Sequence, residues 1–188
     1  MFKVIPNFLP QQEFDSGVGR VIHDPSIPWF WVRGTSDIKR DFNDDAHWDH
    51  SFAHTAYEFG EPTSFLGVKC EEILNQACNK LDLKLKYILR IRLGLITKTP
   101  EPVEHGGHVD FKQPHMTALY YLTTCNGPTI FYNEKWQEGV THSNLTEARR
   151  VPAEQNKLLV FDGTTYHSSI SQTDTKQRIA INFNFEIA

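Results

Sequence analysis

Two long segments, one near the middle of the sequence and one at residues 177–187, alternate between apolar and polar positions. In Leu85–Thr97 the odd positions carry large apolar side chains, and the even positions include Arg90 and Arg92. Gln177–Ile187 repeats the pattern, with Arg178 on its polar face. Because successive side chains of a strand point to opposite faces, both segments are predicted to be strands with two different environments.

Other segments show weaker or helical patterns. A stripe of apolar residues at helical spacing predicts a helix over residues 63–81, with Thr63 or Ser64 as its N-cap, and a second helix is predicted over residues 10–23. Further strands are predicted over residues 2–6, 27–32, 116–124, 129–132, 151–154 and 157–161, with a turn at 126–128, whereas residues 34–62 and 133–149 are predicted to be irregular. An apolar helix face needs a sheet to cover, so the predicted fold class is an all-β core with packed helices, that is, α+β.

The alternation of side chains along the last predicted strand indicates the direction in which Arg178 points. The large apolar residues of this strand define a face that should be buried under helices. Arg178, Ala180 and Asn182 must then point the other way, toward a second sheet. A buried arginine is costly unless an anion meets it. A bound dicarboxylate would supply that anion.

Length and composition favour one domain over residues 1–188, with residues 1–83 as a helical and aromatic support layer and residues 84–188 as the β core. The net charge of −4 gives no reason to expect a nucleic acid as partner. Three cysteines without a C-x-x-C spacing suggest neither a disulfide framework nor a zinc ribbon. No apolar stretch fits a signal peptide or a membrane span, so a cytoplasmic protein is expected.

His108 and Asp110 form an H-x-D pair whose side chains can turn toward one point. A second imidazole from elsewhere in the chain, for which His167 is the candidate, would complete a 2-His-1-carboxylate triad. Such a triad occupies one face of an octahedral Fe(II) and leaves positions open for substrates and O₂. A zinc hydrolase would also use two histidines and one carboxylate, but it would have no use for an arginine that points between two sheets, as Arg178 is expected to do.

A second H-x-D pair, His47 and Asp49, is followed by His50 and His54. The last two are four residues apart and would share one face of a helix, which makes this segment a rival metal site. The alternative is a surface excursion whose aromatic side chains pack while its polar groups stay in water.

An ordered set of motifs follows the first pair along the chain. The set is H-x-D at His108 and Asp110, GxTxF at 127–131, FDG at 161–163, His167, and Arg178 on a terminal strand. It resembles the 2-oxoglutarate and Fe(II)-dependent oxygenases, and within them the prolyl 4-hydroxylase-like branch, which includes small bacteriophage members. The resemblance covers roughly the second half of the chain and implies a double-stranded β-helix, a jelly-roll barrel with helices packed on one sheet.

The resemblance also implies roles for individual residues. His108, Asp110 and His167 would ligate iron, and Arg178 would make paired hydrogen bonds to the distal carboxylate of 2-oxoglutarate. Tyr121 would share that carboxylate, whereas Tyr120 would face the other way. Residues expected to line the pocket or meet the substrate are Arg92, Thr117, Leu119, Thr129 and Asn182. Solvent exposure is the alternative for Arg90 and Arg92, and His105 and His115 are expected behind the ligands or at the surface.

The activity implied by the resemblance is hydroxylation of an unactivated C–H, with O₂ and 2-oxoglutarate as cosubstrates and succinate and CO₂ as products. Ascorbate would serve as reductant. A peptidyl proline or a related peptide or small amino-acid substrate is expected, in the cytoplasm of the host cell if the chain is phage-encoded. Two departures matter: collagen-type prolyl hydroxylases commonly carry lysine at the position of Arg178, and nucleic-acid demethylases tend to carry arginine where Asn184 stands. The alternative is a non-catalytic metal-binding jelly-roll module, and the oligomeric state stays open.

Overall fold

The computed structural model describes residues 1–33 and 50–188. Along the chain these residues form β1 Phe2–Ile5, α1 Gln11–Ser16, a 3-10 helix Val18–His23, β2 Phe30–Val32, β3 Ser51–Glu58, β4 Glu61–Pro62, α2 Gly67–Lys80, β5 Leu85–Thr97, β6 Met116–Tyr121, β7 Cys125–Lys135, a 3-10 helix His142–Asn144, β8 Glu147–Ala153, β9 Lys157–Asp162, β10 Thr165–Ser169 and β11 Gln177–Ile187. In the described part of the chain, no helix is long and apolar enough to cross a membrane.

The strands form two antiparallel sheets. The large sheet has the order β1-β9-β6-β11-β5-β3-β2, with β4 paired to β3, and the small sheet has the order β10-β7-β8. Between the sheets, Tyr121 and Phe161 of the large sheet pack with Phe131 and Val151 of the small one. On the opposite face of the large sheet, the two α-helices contribute to the main hydrophobic core. This arrangement is a double-stranded β-helix, or jelly-roll, with helices on one sheet, as predicted.

Strands β5 and β11 have the predicted bounds, and they pair with each other at the centre of the large sheet. The predicted alternation is wrong at one end of β5. The pairing shifts register where Asn184 meets Arg90 and Phe185 meets Ile88, so β5 has one extra residue there. Ile88 therefore joins the helix-side core, and Tyr87 is 39% exposed. A β-bulge of this kind reverses the faces of the residues before it.

The helical predictions are correct in position and wrong in detail. α2 begins at Gly67, and neither predicted hydroxyl caps an N–H within it. Thr63 Oγ1 donates to Thr55 O, whereas Ser64 Oγ bonds to the ring of His54 and accepts from Leu66 N–H at 3.3 Å, one residue before the helix. At Gly67 a Cβ would lie 2.5 Å from Ala56 O, so close packing on β3 requires glycine there. The helix predicted over residues 10–23 breaks after α1 and continues as a 3-10 helix.

Residues 51–58 were predicted to be irregular, and this prediction is wrong because they form strand β3, paired with β5. His54 lies on this strand, buried, with its ring 3.1 Å from Pro28 O and 2.7 Å from Ser64 Oγ. It therefore does not share a helix face with His50. His47 and Asp49 lie outside the described residues.

The small sheet was also under-predicted. β7 runs without a break through the turn predicted at 126–128, because a register shift between Cys125 and Thr129 accommodates these residues as a bulge against β8. β8 begins inside the segment predicted to be a loop. His167 lies on strand β10, for which no strand was predicted. Strands from the first 83 residues join the large sheet, and the division into a support layer and a β core stays a prediction.

Candidate metal and cosubstrate site

His108 and His167 lie side by side although 59 positions separate them in the sequence. The backbone N–H of each donates to the carbonyl of the other, both at 2.9 Å, in an isolated antiparallel bridge. The bridge attaches the His108 segment to β10 and brings the two ring centroids to 4.8 Å. The local backbone pairing therefore sets the distance between the two imidazoles.

The protonation pattern of both rings leaves one nitrogen of each free to bind a metal. His108 Nδ1 lies 3.0 Å from Gly106 O, and His167 Nδ1 lies 3.1 Å from Thr165 O. A carbonyl oxygen only accepts hydrogen bonds, so each Nδ1 carries a hydrogen, and in the neutral form of either ring Nε2 carries the lone pair. One ligand atom from each of His108, Asp110 and His167 lies within 4.8 Å of the others.

The carboxylate of Asp110 is held by three donors from the large sheet. Arg90 Nη2 lies 2.8 Å from Oδ1, and the amide nitrogens of Asn182 and Asn184 each lie 3.0 Å from Oδ2. Burial by itself would raise the pKa of Asp110, but the nearby imidazoles, the Arg90 guanidinium and the Asn182 hydrogen bond lower this pKa well below its ordinary value. Asp110 is therefore ionised at neutral pH.

His167 is buried among other polar groups of the site. Burial and the neighbouring His108 lower the pKa of His167 to about 4, and Asp110 offsets this only in part. The imidazole is therefore neutral at physiological pH, which is the form that binds metals. Two imidazoles and one carboxylate fit a divalent cation such as Fe(II).

Arg178 is buried on the inner face of β11, with 6% of its surface exposed. Its Nε donates to Gly127 O at 3.1 Å, and its Nη2 donates to Thr129 Oγ1 at 2.8 Å. Tyr121 donates to the same hydroxyl oxygen at 2.6 Å, and the guanidinium lies 5.5 Å from the centre of its ring. Tyr120 faces the helices, as expected, and donates to Asn156 Oδ1 at 2.6 Å.

A cavity of about 260 Å³ is lined both by the His108, Asp110 and His167 cluster and by Arg178. Four of the residues predicted to line the pocket also line this cavity, namely Arg92, Leu119, Thr129 and Asn182. Tyr121 and Thr117 do not belong to its lining. The lining prediction for Thr117 is therefore corrected: Thr117 is fully buried behind the wall, where its hydroxyl accepts from Asn184 Nδ2 at 3.2 Å.

Sequence reasoning missed part of the support around the ligands. For Arg90, both solvent exposure and a position inside the barrel were predicted as alternatives. It lies inside the barrel and forms an ion pair with Asp110. Asn184, considered only as a departure from another family branch, bonds to the same carboxylate. His115 is buried, with its ring 3.3 Å from Thr117 Oγ1, and His105 is buried too, so neither lies at the surface. Strand parity placed Arg90 and Asn184 on the polar faces of their strands, but it gave no partner for either.

No protein-family model matches the sequence, and neither does any curated protein. Solved structures do match. A prolyl-4-hydroxylase from Pseudomonas putida is 12% identical over 98% of this chain and 92% of that chain, with a TM-score of 0.58. A Trichoplax adhaerens prolyl hydroxylase, solved with a hypoxia-inducible-factor peptide fragment, is 14% identical over 98% and 83%, with a TM-score of 0.58.

A third structure has a different activity. The epimerase SnoN from nogalamycin biosynthesis, solved with Fe³⁺, α-ketoglutarate and nogalamycin RO, is 14% identical over 98% of this chain and 78% of that chain, with a TM-score of 0.61. At these identities the likeness establishes the fold. The chain has the double-stranded β-helix fold of the 2-oxoglutarate and Fe(II) oxygenases.

Proposed function

We propose that this chain is an Fe(II)- and 2-oxoglutarate-dependent oxygenase that hydroxylates an unactivated C–H of a peptide or small molecule. One observation carries the proposal. A His-Asp-His cluster, with His167 buried and His108 and Asp110 partly buried, opens into the same cavity as a buried arginine, on a fold in which a solved structure holds iron and α-ketoglutarate. Fold likeness alone would not justify an activity, because one fold hosts many functions.

In this proposal the metal is held by Nε2 of His108, Nε2 of His167 and one oxygen of Asp110. Iron with 2-oxoglutarate and O₂ supplies the oxidising chemistry, in which the cosubstrate becomes succinate and CO₂. The chain itself contributes an ionised carboxylate and two imidazoles, which are oriented by Arg90, the side-chain amides of Asn182 and Asn184, and the two carbonyl acceptors. Such supporting contacts orient the ligands before a metal arrives.

Arg178 is the proposed anchor for the distal carboxylate of 2-oxoglutarate. A guanidinium has five N–H donors, and Gly127 and Thr129 occupy two of its nitrogen atoms. The remaining donors suit a carboxylate in paired bonds. Thr129 also accepts from Tyr121, so this tyrosine is proposed to fix the guanidinium through Thr129 rather than to touch the cosubstrate.

The substrate is proposed to be a peptidyl proline or a related peptide or amino acid. Two of the similar solved structures are prolyl hydroxylases, and one of them holds a peptide. The epimerase with nogalamycin RO bound is equally similar in fold, so the fold does not choose between these classes.

The test is succinate formation from 2-oxoglutarate by the protein with Fe(II), ascorbate and O₂. We expect slow turnover without a prime substrate, none without O₂, and none for Asp110→Ala. A non-catalytic metal-binding module would bind Fe(II) and form no succinate. A zinc hydrolase would show activity that is independent of 2-oxoglutarate, and either result would overturn the proposal.

A further inference from the structure

Arg92 lies on the inner face of β5, two residues beyond Arg90. Its neighbours across the sheet are Asn182 on β11 and Thr55 on β3. The side chain of Asn182 donates a hydrogen bond to the carboxylate of Asp110, the proposed metal ligand. Arg92 is therefore the cross-strand neighbour of a residue that contacts this ligand. Its side chain lines the main cavity and also a shallower one beside it.

The three arginines of the cavity differ in their partners. Arg90 forms an ion pair with Asp110, and Arg178 donates to Gly127 and Thr129. For Arg92, no hydrogen bond or ion pair is present with any residue of the ranges 1–33 and 50–188. Glu58 lines the shallower cavity with Arg92, but it is exposed and forms no ion pair with this guanidinium.

The surroundings of Arg92 oppose its charge. Burial and the neighbouring Arg90 lower the pKa of Arg92, and Asp110 offsets this in part. A partly buried cation with no partner among the described residues is unfavourable, and it gains most from an anion that enters with a ligand.

The net charge of the cavity also favours an anionic ligand near Arg92. Three arginines face one aspartate among the described residues that line it. In the proposed function, the two charges of Fe(II) balance those of 2-oxoglutarate, so the positive excess persists after both are bound. Asp110 already neutralises Arg90, and the distal carboxylate of 2-oxoglutarate would neutralise Arg178. Of the three arginines that line the cavity, Arg92 is then the one available to bind a further anion.

We infer that Arg92 binds a carboxylate of the prime substrate, which makes the substrate a small acid: a free amino acid or a peptide with a carboxylate near the carbon that is hydroxylated. This inference rests on the proposed function. A planar guanidinium suits a carboxylate through two parallel bonds. The volume of about 260 Å³, shared with 2-oxoglutarate, allows only a small part of a substrate to be buried.

The inference can be tested without knowing the substrate. The protein is loaded with Mn(II) and N-oxalylglycine, an unreactive analogue of 2-oxoglutarate that fills the metal and Arg178 positions. The probes are trifluoroacetate and its neutral counterpart trifluoroacetamide, observed by ¹⁹F NMR relaxation, which Mn(II) enhances for a molecule bound nearby. We expect trifluoroacetate to bind on the order of tenfold more tightly than the amide, the effect of one charge-assisted hydrogen bond.

Matched variants identify the cation responsible. Arg92→Gln is expected to remove the preference for the acid, and Arg92→Lys, which keeps the charge, is expected to retain part of it. Lys86→Gln removes an exposed cation of the same strand and is expected to change nothing. Equal relaxation of the two probes in the unchanged protein, or a preference that survives in Arg92→Gln, would overturn the inference.

Loading the protein separates this inference from the function on which it rests. If Mn(II) and N-oxalylglycine do not bind, the proposed function fails. If both bind and the acid is not preferred, the function stands and the role of Arg92 is wrong.

Discussion

Arg90 Nη2 lies 2.8 Å from Asp110 Oδ1, and this contact makes a strand arginine the direct support of the proposed carboxylate ligand. The other carboxylate oxygen accepts from two amides and lies 3.6 Å from His167 Nε2. Since both oxygens are held by the large sheet, the carboxylate is oriented before a metal binds. Arg90 itself lies over the ring of Phe111, 5.0 Å from its centre.

Arg90→Gln is therefore expected to weaken Mn(II) binding by about 10- to 100-fold, the usual effect of removing a group that orients a metal ligand. Electron paramagnetic resonance of free Mn(II) during a titration measures this affinity. Lys86→Gln is the control, because Lys86 is an exposed cation on the same strand and pairs with Glu186 at 2.9 Å. An unchanged Mn(II) affinity in Arg90→Gln would show that Asp110 needs no such support.

Arg178→Gln should raise the concentration of 2-oxoglutarate required for succinate formation by about tenfold or more, because charge-assisted hydrogen bonds contribute ~1.5–3 kcal/mol each. Mn(II) binding should change far less. Asp110→Ala is the counterpart, and it should abolish metal retention and turnover together. Equal effects of the two changes on Mn(II) affinity would contradict the separate roles given to these residues.

Tyr121 and Tyr120 offer a matched pair of neighbours on opposite faces of β6. Tyr121→Phe removes the hydrogen bond to Thr129 and should weaken 2-oxoglutarate binding by about 2- to 10-fold, since a neutral hydrogen bond contributes ~0.5–1.5 kcal/mol. Tyr120→Phe removes the bond to Asn156 on the helix side. It should lower the free energy of unfolding by about 1 kcal/mol and leave cosubstrate affinity unchanged. The reverse assignment of the two effects would contradict the positions of these hydroxyls.

The metal-free protein should lose stability as the pH falls from about 6.5 toward 4. The pKa of His167 is about 4 in the folded chain, whereas an unfolded histidine titrates near ~6.5. In this window the unfolded chain takes up a proton that the folded chain does not, so lowering the pH favours unfolding, by on the order of 3 kcal/mol in all.

Urea unfolding across this pH range measures the effect. His167→Gln should flatten the slope, and His23→Gln, which changes an exposed imidazole, should not. Identical slopes for His167→Gln and the unchanged chain would show that His167 is not the group that titrates.

The sequence predicts the centre of this fold better than its edges. β5 and β11 each have one apolar face, so their periodicity gave their bounds and directed Arg178 inward. β3 escaped prediction because Ser51, Ala53 and Ala56 are small and buried, and a strand buried on both faces has no alternation to detect.

In the candidate site, the metal ligands could be predicted from the sequence, but the residues that support them could not. The H-x-D spacing and the later histidine were enough to nominate His108, Asp110 and His167, because residue type and spacing define such a ligand set. The partners of Asp110 were not predictable, because strand parity gives a face and not a contact. Arg90, Asn182 and Asn184 come together only through the register between β5 and β11.

The most direct measurement is an anaerobic titration of the Fe(II)-loaded protein with 2-oxoglutarate, followed by visible absorption. Chelation of Fe(II) by a 2-oxo acid produces a charge-transfer band. The account predicts a saturable band for the unchanged protein, a higher half-saturation concentration for Arg178→Gln, and no band for Asp110→Ala. Absence of the band in the unchanged protein, or a band that Asp110→Ala retains, would contradict the assignment of this cavity as an iron and 2-oxoglutarate site.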